Sequence, residues 1–176
     1  MKHFNPKPYR ISALLLSVLL AFLLCGCQNE KPAQAASPFS DVTWEYSIED
    51  VQAYENTEPG TYDSVYGGLC YTYPKSYDTF EGTVKYMFDG NGKLMCIAWT
   101  CSSEEEQVLY DFYDKIEAAV NAKNDDSPAV TDKISNAGHV WYREDGNIIL
   151  SLMLTSDLKA LQYSYLHPDV SSPPKE

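Results

Sequence analysis

Apolar residues change their spacing several times along the chain, and each change marks an element. Ile11 to Cys25 is almost wholly apolar, broken by Ser12 and Ser17. Ser47 to Tyr54 brings Ile48, Val51 and Tyr54 to one helical face. Ser47 with Asp50 three residues later approximates a capping box, so a short helix is expected over 47–55. Thr57 to Asp63 reads as loop, and Tyr66 to Tyr73 as a Tyr-rich strand. Val84, Tyr86 and Phe88 then alternate with Thr83, Lys85 and Met87, and Asp89-Gly90-Asn91-Gly92 leads into a return strand over 93–101. Alternation that runs into Asp-Gly is a strong hairpin signal. The return strand is apolar on both faces, with Leu94, Cys96 and Ala98 on one and Met95, Ile97 and Trp99 on the other, which places it centrally in a sheet.

The spacing then becomes helical. Ser103 and Glu106 form a capping box, three acids occupy the first turn, and Leu109, Phe112, Ile116, Ala119 and Val120 make an apolar stripe. This helix is expected over 103–123, and Asn124 to Pro128 ends it. Val140 to Arg143, a turn at Glu144-Asp145-Gly146-Asn147, and Ile148 to Leu154 form a second hairpin with Trp141 beside Ile148, Leu150 and Leu152. Leu158 to Tyr165 is the final strand. Both hairpins carry Asp-Gly-Asn, which the turn chemistry explains without a duplication. The order helix, strands, long helix, strands predicts an α+β fold: an antiparallel sheet of about five to six strands, with a short N-terminal helix and one long helix packed on one face.

The N-terminal apolar run follows Lys2, Lys7 and Arg10, and its length of about 15 residues is short of the roughly 20 needed to span a bilayer. That is the layout of a signal peptide. It ends in Leu24-Cys25-Gly26-Cys27, which resembles the bacterial lipoprotein signal, the lipobox. The resemblance implies that residues 1–26 are removed. It also implies that Cys27 carries a thioether-linked diacylglycerol (with acyl chains such as palmitate), and that the chain is anchored on the extracytoplasmic side of a bacterial membrane. Residues 27–40 are then the lipidated Cys and a polar tether with two Pro, 41–168 a single domain, and 169–176 an unstructured tail. Several elements together resemble small beta-lactamase-inhibitor-protein-like domains and the SmpA/OmlA group of lipoproteins: Trp44 ahead of Ser47–Val51, the run Tyr86 to Leu94, the 103–123 helix and the Trp141 hairpin. That resemblance implies a binding or scaffold domain, not an enzyme, and transfers no functional residue.

Charge narrows the partners. The 176-residue chain has 13 basic and 25 acidic residues, and loss of Lys2, Lys7 and Arg10 leaves a net charge of −15. Such a chain is a poor match for nucleic acid or anionic lipid head groups. No cofactor or metal is expected. Asp89 to Lys93 starts like a calcium loop, but Lys93, Leu94 and Thr100 replace the later required residues. His139 and His167 have no nucleophile motif around them, and Glu104 to Glu106 is explained by its place at a helix start. Cys70, Cys96 and Cys101 sit in strand-like surroundings, either as three buried thiols or as one disulfide plus a free thiol.

Tyrosine is the unusual component, at 14 residues. Tyr66, Tyr71, Tyr73 and Tyr77 lie close together and form a candidate binding surface, because Tyr offers rigid contact area to proteins and stacks on sugars. Tyr is equally favoured in half-buried strands. The expected function is a membrane-tethered, non-catalytic binding or scaffold domain for another envelope protein. Recognition of glycan or peptidoglycan is the alternative, and an enzyme with scattered site residues the second.

Overall fold

A computed structural model describes residues 35–124 and 137–172. Residues 1–34, on which the expected signal peptide, Cys27 and most of the expected tether fall, residues 125–136 with Asp125, Asp126 and Pro128, and residues 173–176 of the expected tail lie outside the described residues. The architecture is one seven-stranded antiparallel sheet with the order β1-β2-β3-β4-β7-β6-β5. The strands are β1 (Gly60–Asp63), β2 (Gly67–Pro74), β3 (Thr83–Asp89), β4 (Leu94–Ser102), β5 (Ala137–Trp141), β6 (Ile148–Leu154) and β7 (Lys159–Leu166). Helix α1 spans Ile48–Glu55 and helix α2 spans Glu106–Asn121. A 3-10 turn, Pro168–Val170, follows β7.

This corrects the expected sheet of five to six strands with an N-terminal helix. The additional strand is β1, in the stretch read as loop. Its four residues are all exposed, so no burial alternation betrays them. It exists because a turn at 64–67 folds it onto β2, with Ser64 N–H donating to Gly68 O at 2.8 Å. The short helix is internal. Residues 36–42 ahead of it already pack on the domain, with Ala36 N–H donating to Val42 O at 2.9 Å and Phe39 in the core. Ordered packing therefore begins before position 41.

Register explains the core. Tyr86 pairs Ile97 and Val84 pairs Trp99, and these continue to Tyr165 and Tyr163 of β7 and to Ile148 and Leu150 of β6. Side chains paired across antiparallel strands share a face, so these residues form one apolar surface. Val51 of α1 and Leu109, Phe112, Ile116 and Val120 of α2 pack against it in a single cluster. Phe112 stacks on Phe80 with ring centroids 4.1 Å apart and meets Trp99 edge-on. β4 lies centrally, between β3 and β7.

Helix ends show where local rules hold. Ser47 and Asp50 make the reciprocal capping box. Ser103 does not cap α2: its hydroxyl accepts from Glu105 N–H in a turn, Glu105 occupies the N-cap position, and the helix opens at Glu106. Ala119, expected in the buried stripe, is exposed, and Tyr113, not expected there, is buried in it.

Candidate functional site

Both helices belong to one face of the sheet, so the other face is left without a helix among the described residues. Its side chains fall in rows set by the register. One row runs Tyr62, Cys70, Met87, Cys96 and Leu166. The next runs Thr72, Lys85, Ala98, Ser164, Ile149 and Val140. A third carries Thr83, Thr100, Gln162 and Ser151. Lys85 is the one charged residue in these rows. Asp89 has the same parity at the end of β3, but its carboxylate turns into the hairpin loop and accepts the N–H groups of Asn91 and Lys93, each at 2.9 Å. Those bonds hold its pKa below the ordinary carboxylate value. The loop read as a turn is thus closed by Asp89 itself.

A shallow cleft of about 530 Å³ opens on this face, lined by Thr83, Lys85, Thr100 and Gln162, with Met153 and Leu158 among its apolar residues and Glu81 beside them. That volume lies within the range of small-ligand pockets. Gly82 also lines it, and a Cβ there would come within 2.5 Å of the Trp99 ring, so only glycine lets the chain cross this indole. The Trp99 N–H in turn donates to Lys75 O at 2.7 Å, fixing the ring.

The four candidate tyrosines do not form one surface. Tyr71 and Tyr73 point into the core, edge-on to Phe88 and Tyr86 respectively, with exposures of 8% and 1%. Tyr77 sits half-buried among Phe39, Trp99, Phe112 and Tyr163. Tyr66 belongs to the helix-free face, its hydroxyl against the Cys96 thiol as Tyr62 lies against Cys70; burial pushes Tyr66 up to about 12. Alternation along β2 sends Tyr71 and Tyr73 inward, and sequence proximity conceals this.

Cys70, Cys96 and Cys101 are free and buried. Cys70 and Cys96 lie in one row on either side of Met87, so two strand spacings, roughly 10 Å, separate them. A disulfide requires Cα atoms within about 7 Å. Cys101 is on the opposite face, paired to Leu161. Burial raises Cys96 to about 12 and Cys101 to about 11, which keeps both as thiols at neutral pH.

His139 is held structurally. Its Nδ1 lies 2.5 Å from the Tyr113 hydroxyl, and its Nε2 lies 3.3 Å from Glu117 Oε1. The Trp141 indole N–H donates to Asn121 Oδ1 at 2.8 Å, so the two residues together fasten β5 to α2. His167 packs edge-on to Trp44 and accepts the Asp169 N–H at 3.0 Å, and burial lowers its pKa. Among the described residues no group of three or more His, Cys, Asp or Glu side chains is placed to hold a metal ion. No family model, curated protein or solved structure matches the chain.

Proposed function

We propose that this protein is a lipid-anchored, extracytoplasmic binding domain, non-catalytic, which offers the helix-free face of its sheet to another protein of the bacterial envelope. One observation carries the reading: a chain with 25 acidic residues keeps the interior of that face free of acid and gives it a single charge. Protein interfaces are depleted of charge at their cores in the same way. Threonine, serine and glutamine hydrogen-bonding groups, with Met153 and Leu158 beside them, give the mixed polar and apolar lining that such a contact uses. The anchor follows from Cys27 and the segment before it: two or three acyl chains hold a protein at a membrane where one holds only marginally. The glycan alternative rests on Tyr66, Tyr71, Tyr73 and Tyr77, and burial of the Tyr71 and Tyr73 rings leaves it without those stacking planes.

The test uses the full-length protein in its own cell. A photo-crosslinking residue at Ser151, on the helix-free face, is expected to yield one discrete protein adduct; the same residue at Asp114, on the exposed side of α2, is expected to yield none. Cys27→Ser is expected to release the protein from the membrane fraction. Adducts from Asp114 and not from Ser151 would place the contact elsewhere, and membrane retention of the serine variant with normal processing would remove the anchor.

A further inference from the structure

The described residues include seven basic side chains, and five of them have a carboxylate partner: Lys75 with Glu55, Lys93 with Asp169, Lys115 with Asp78, Arg143 with Asp145, and Lys159 with Glu106. Acids outnumber bases almost two to one in this chain, so such pairing is the expected state of a cation. Lys123 lies at the exposed end of α2. Lys85 is different. It stands in the interior of the sheet face, half-buried between Thr72 and Ala98, and has no hydrogen bond or ion pair among the described residues. The acid that lines the same cleft, Glu81, accepts a hydrogen bond from the Ser76 hydroxyl at 2.9 Å.

We propose that the cleft receives an acidic side chain of the partner protein, with Lys85 as the cation that pairs it; this rests on the reading that the helix-free face is the binding face. The charge count favours a carboxylate. One ammonium matches one carboxylate, whereas a phosphate at neutral pH brings close to two charges and is usually met by arginine forks or several cations. The hydroxyls of Thr83 and Thr100 and the Gln162 amide line the same cleft, where they supply further hydrogen-bonding groups to the partner segment that carries the acid. Docking removes Lys85 from water, and an unpaired ammonium resists that removal, so a partner lacking the acid is rejected. Lys85 therefore sets specificity in a cleft whose other charge, the exposed Glu81, is held by the Ser76 hydroxyl.

The experiment measures the yield of the Ser151 crosslink in the full-length protein in its own cell, in four backgrounds. Lys85→Met and Lys85→Glu are expected to lower the yield by at least about tenfold, since truncating one member of a docked ion pair costs a decade or more in affinity. Lys85→Arg keeps it. Thr100→Trp, which fills the cleft, abolishes it. The crosslinked partner peptide carries an Asp or Glu, and reversing that residue to Lys restores the yield against Lys85→Glu. Melting temperatures of all four variants within a few degrees of the parent establish that folding is intact. If Lys85→Met and Lys85→Glu keep the crosslink while Thr100→Trp loses it, the lysine assignment is wrong and the binding face stands. If Thr100→Trp also keeps it, or Ser151 yields no adduct, the face itself is wrong. A lipid or glycan adduct, or a partner peptide without an acid, overturns the carboxylate assignment.

Discussion

Tyr73 concentrates a conflict that is resolved only by three-dimensional packing. Its ring is 1% exposed, yet its hydroxyl has no hydrogen-bond partner among the described residues. Burial raises its pKa first, and Glu55 adds to the rise. Glu55 is not its acceptor: the carboxylate accepts from Lys75 at 2.9 Å on both oxygens and from the Tyr86 hydroxyl at 2.5 Å. An unsatisfied buried hydroxyl costs about 1–3 kcal/mol. Tyr73→Phe is therefore expected to leave stability unchanged or raise it by up to about 1 kcal/mol, whereas Tyr73→Ala should lose about 3–5 kcal/mol through the cavity it opens. Urea denaturation of the two variants measures both, and a clear loss in Tyr73→Phe would show that the hydroxyl is bonded after all. Tyr66, Tyr71, Tyr73 and Tyr77 look like one cluster in the sequence because they are near one another in the chain. Counting in twos along β2 separates Tyr71 and Tyr73 from Cys70 and Thr72, and that alternation is legible in the sequence itself. The placement of Tyr77 among the rings of Phe39, Phe112 and Tyr163 is not, because it depends on three distant segments meeting.

Among the elements, those with strong local signals are legible. Helix α1 carries its capping box, both Asp-Gly hairpins form, and Trp141 pairs Ile148. Local signals fail where tertiary contacts override them. Ser103 and Glu106 satisfy the capping pattern, but Lys159 ties the approach to α2, its ammonium reaching Glu104 O at 3.0 Å and Glu106 at 3.3 Å. The chain there is also bonded to β7, through Ser103 N–H to Lys159 O, so the helix starts later. Strand β1 has no local signal at all and depends on the irregular start of β2, where Gly68 lies so close to the end of β3 that a Cβ would sit 2.1 Å from Asp89 O. Gly68→Ala is expected to push β2 off that hairpin and destabilise the domain by about 1–3 kcal/mol, as overpacking does. Gly90→Ala, whose nearest contact would be 3.5 Å, is the matched control and should change stability by less than about 1 kcal/mol. Thermal melts of the pair decide it: equal effects would mean that the glycine approach does not set that irregular start. Hydrogen exchange in Gly68→Ala is expected to rise first in β1 amides, because among the described residues β1 is an edge strand paired to β2 alone.

At the scale of the whole molecule the central feature is how charge is distributed. The chain carries a net −12, or −15 once the N-terminal segment is removed, and the sheet rows opposite the helices hold one lysine. Net charge alone suggests a partner drawn in by the acids, with a contact that weakens as salt rises. The arrangement of residues argues otherwise, since the surface available for close contact is nearly neutral. Salt screens exposed charges strongly and desolvated pairs weakly. The yield of the Ser151 crosslink, obtained by irradiating isolated membranes after equilibration at each salt concentration, is therefore expected to hold from about 0.1 to about 1 M salt, over which the Debye length falls from about 10 to about 3 Å. Folding should respond in the opposite sense to a binding site built on acids. The excess negative charges repel one another, so screening them is expected to raise the melting temperature over the same range. A crosslink that vanishes by 1 M salt would return the contact to the acidic helix side. A crosslink that persists while stability climbs would separate two roles for charge in one small domain: acids that keep the body of the protein soluble and apart from other anionic surfaces, and a sheet face from which they are excluded so that one lysine can select what docks there.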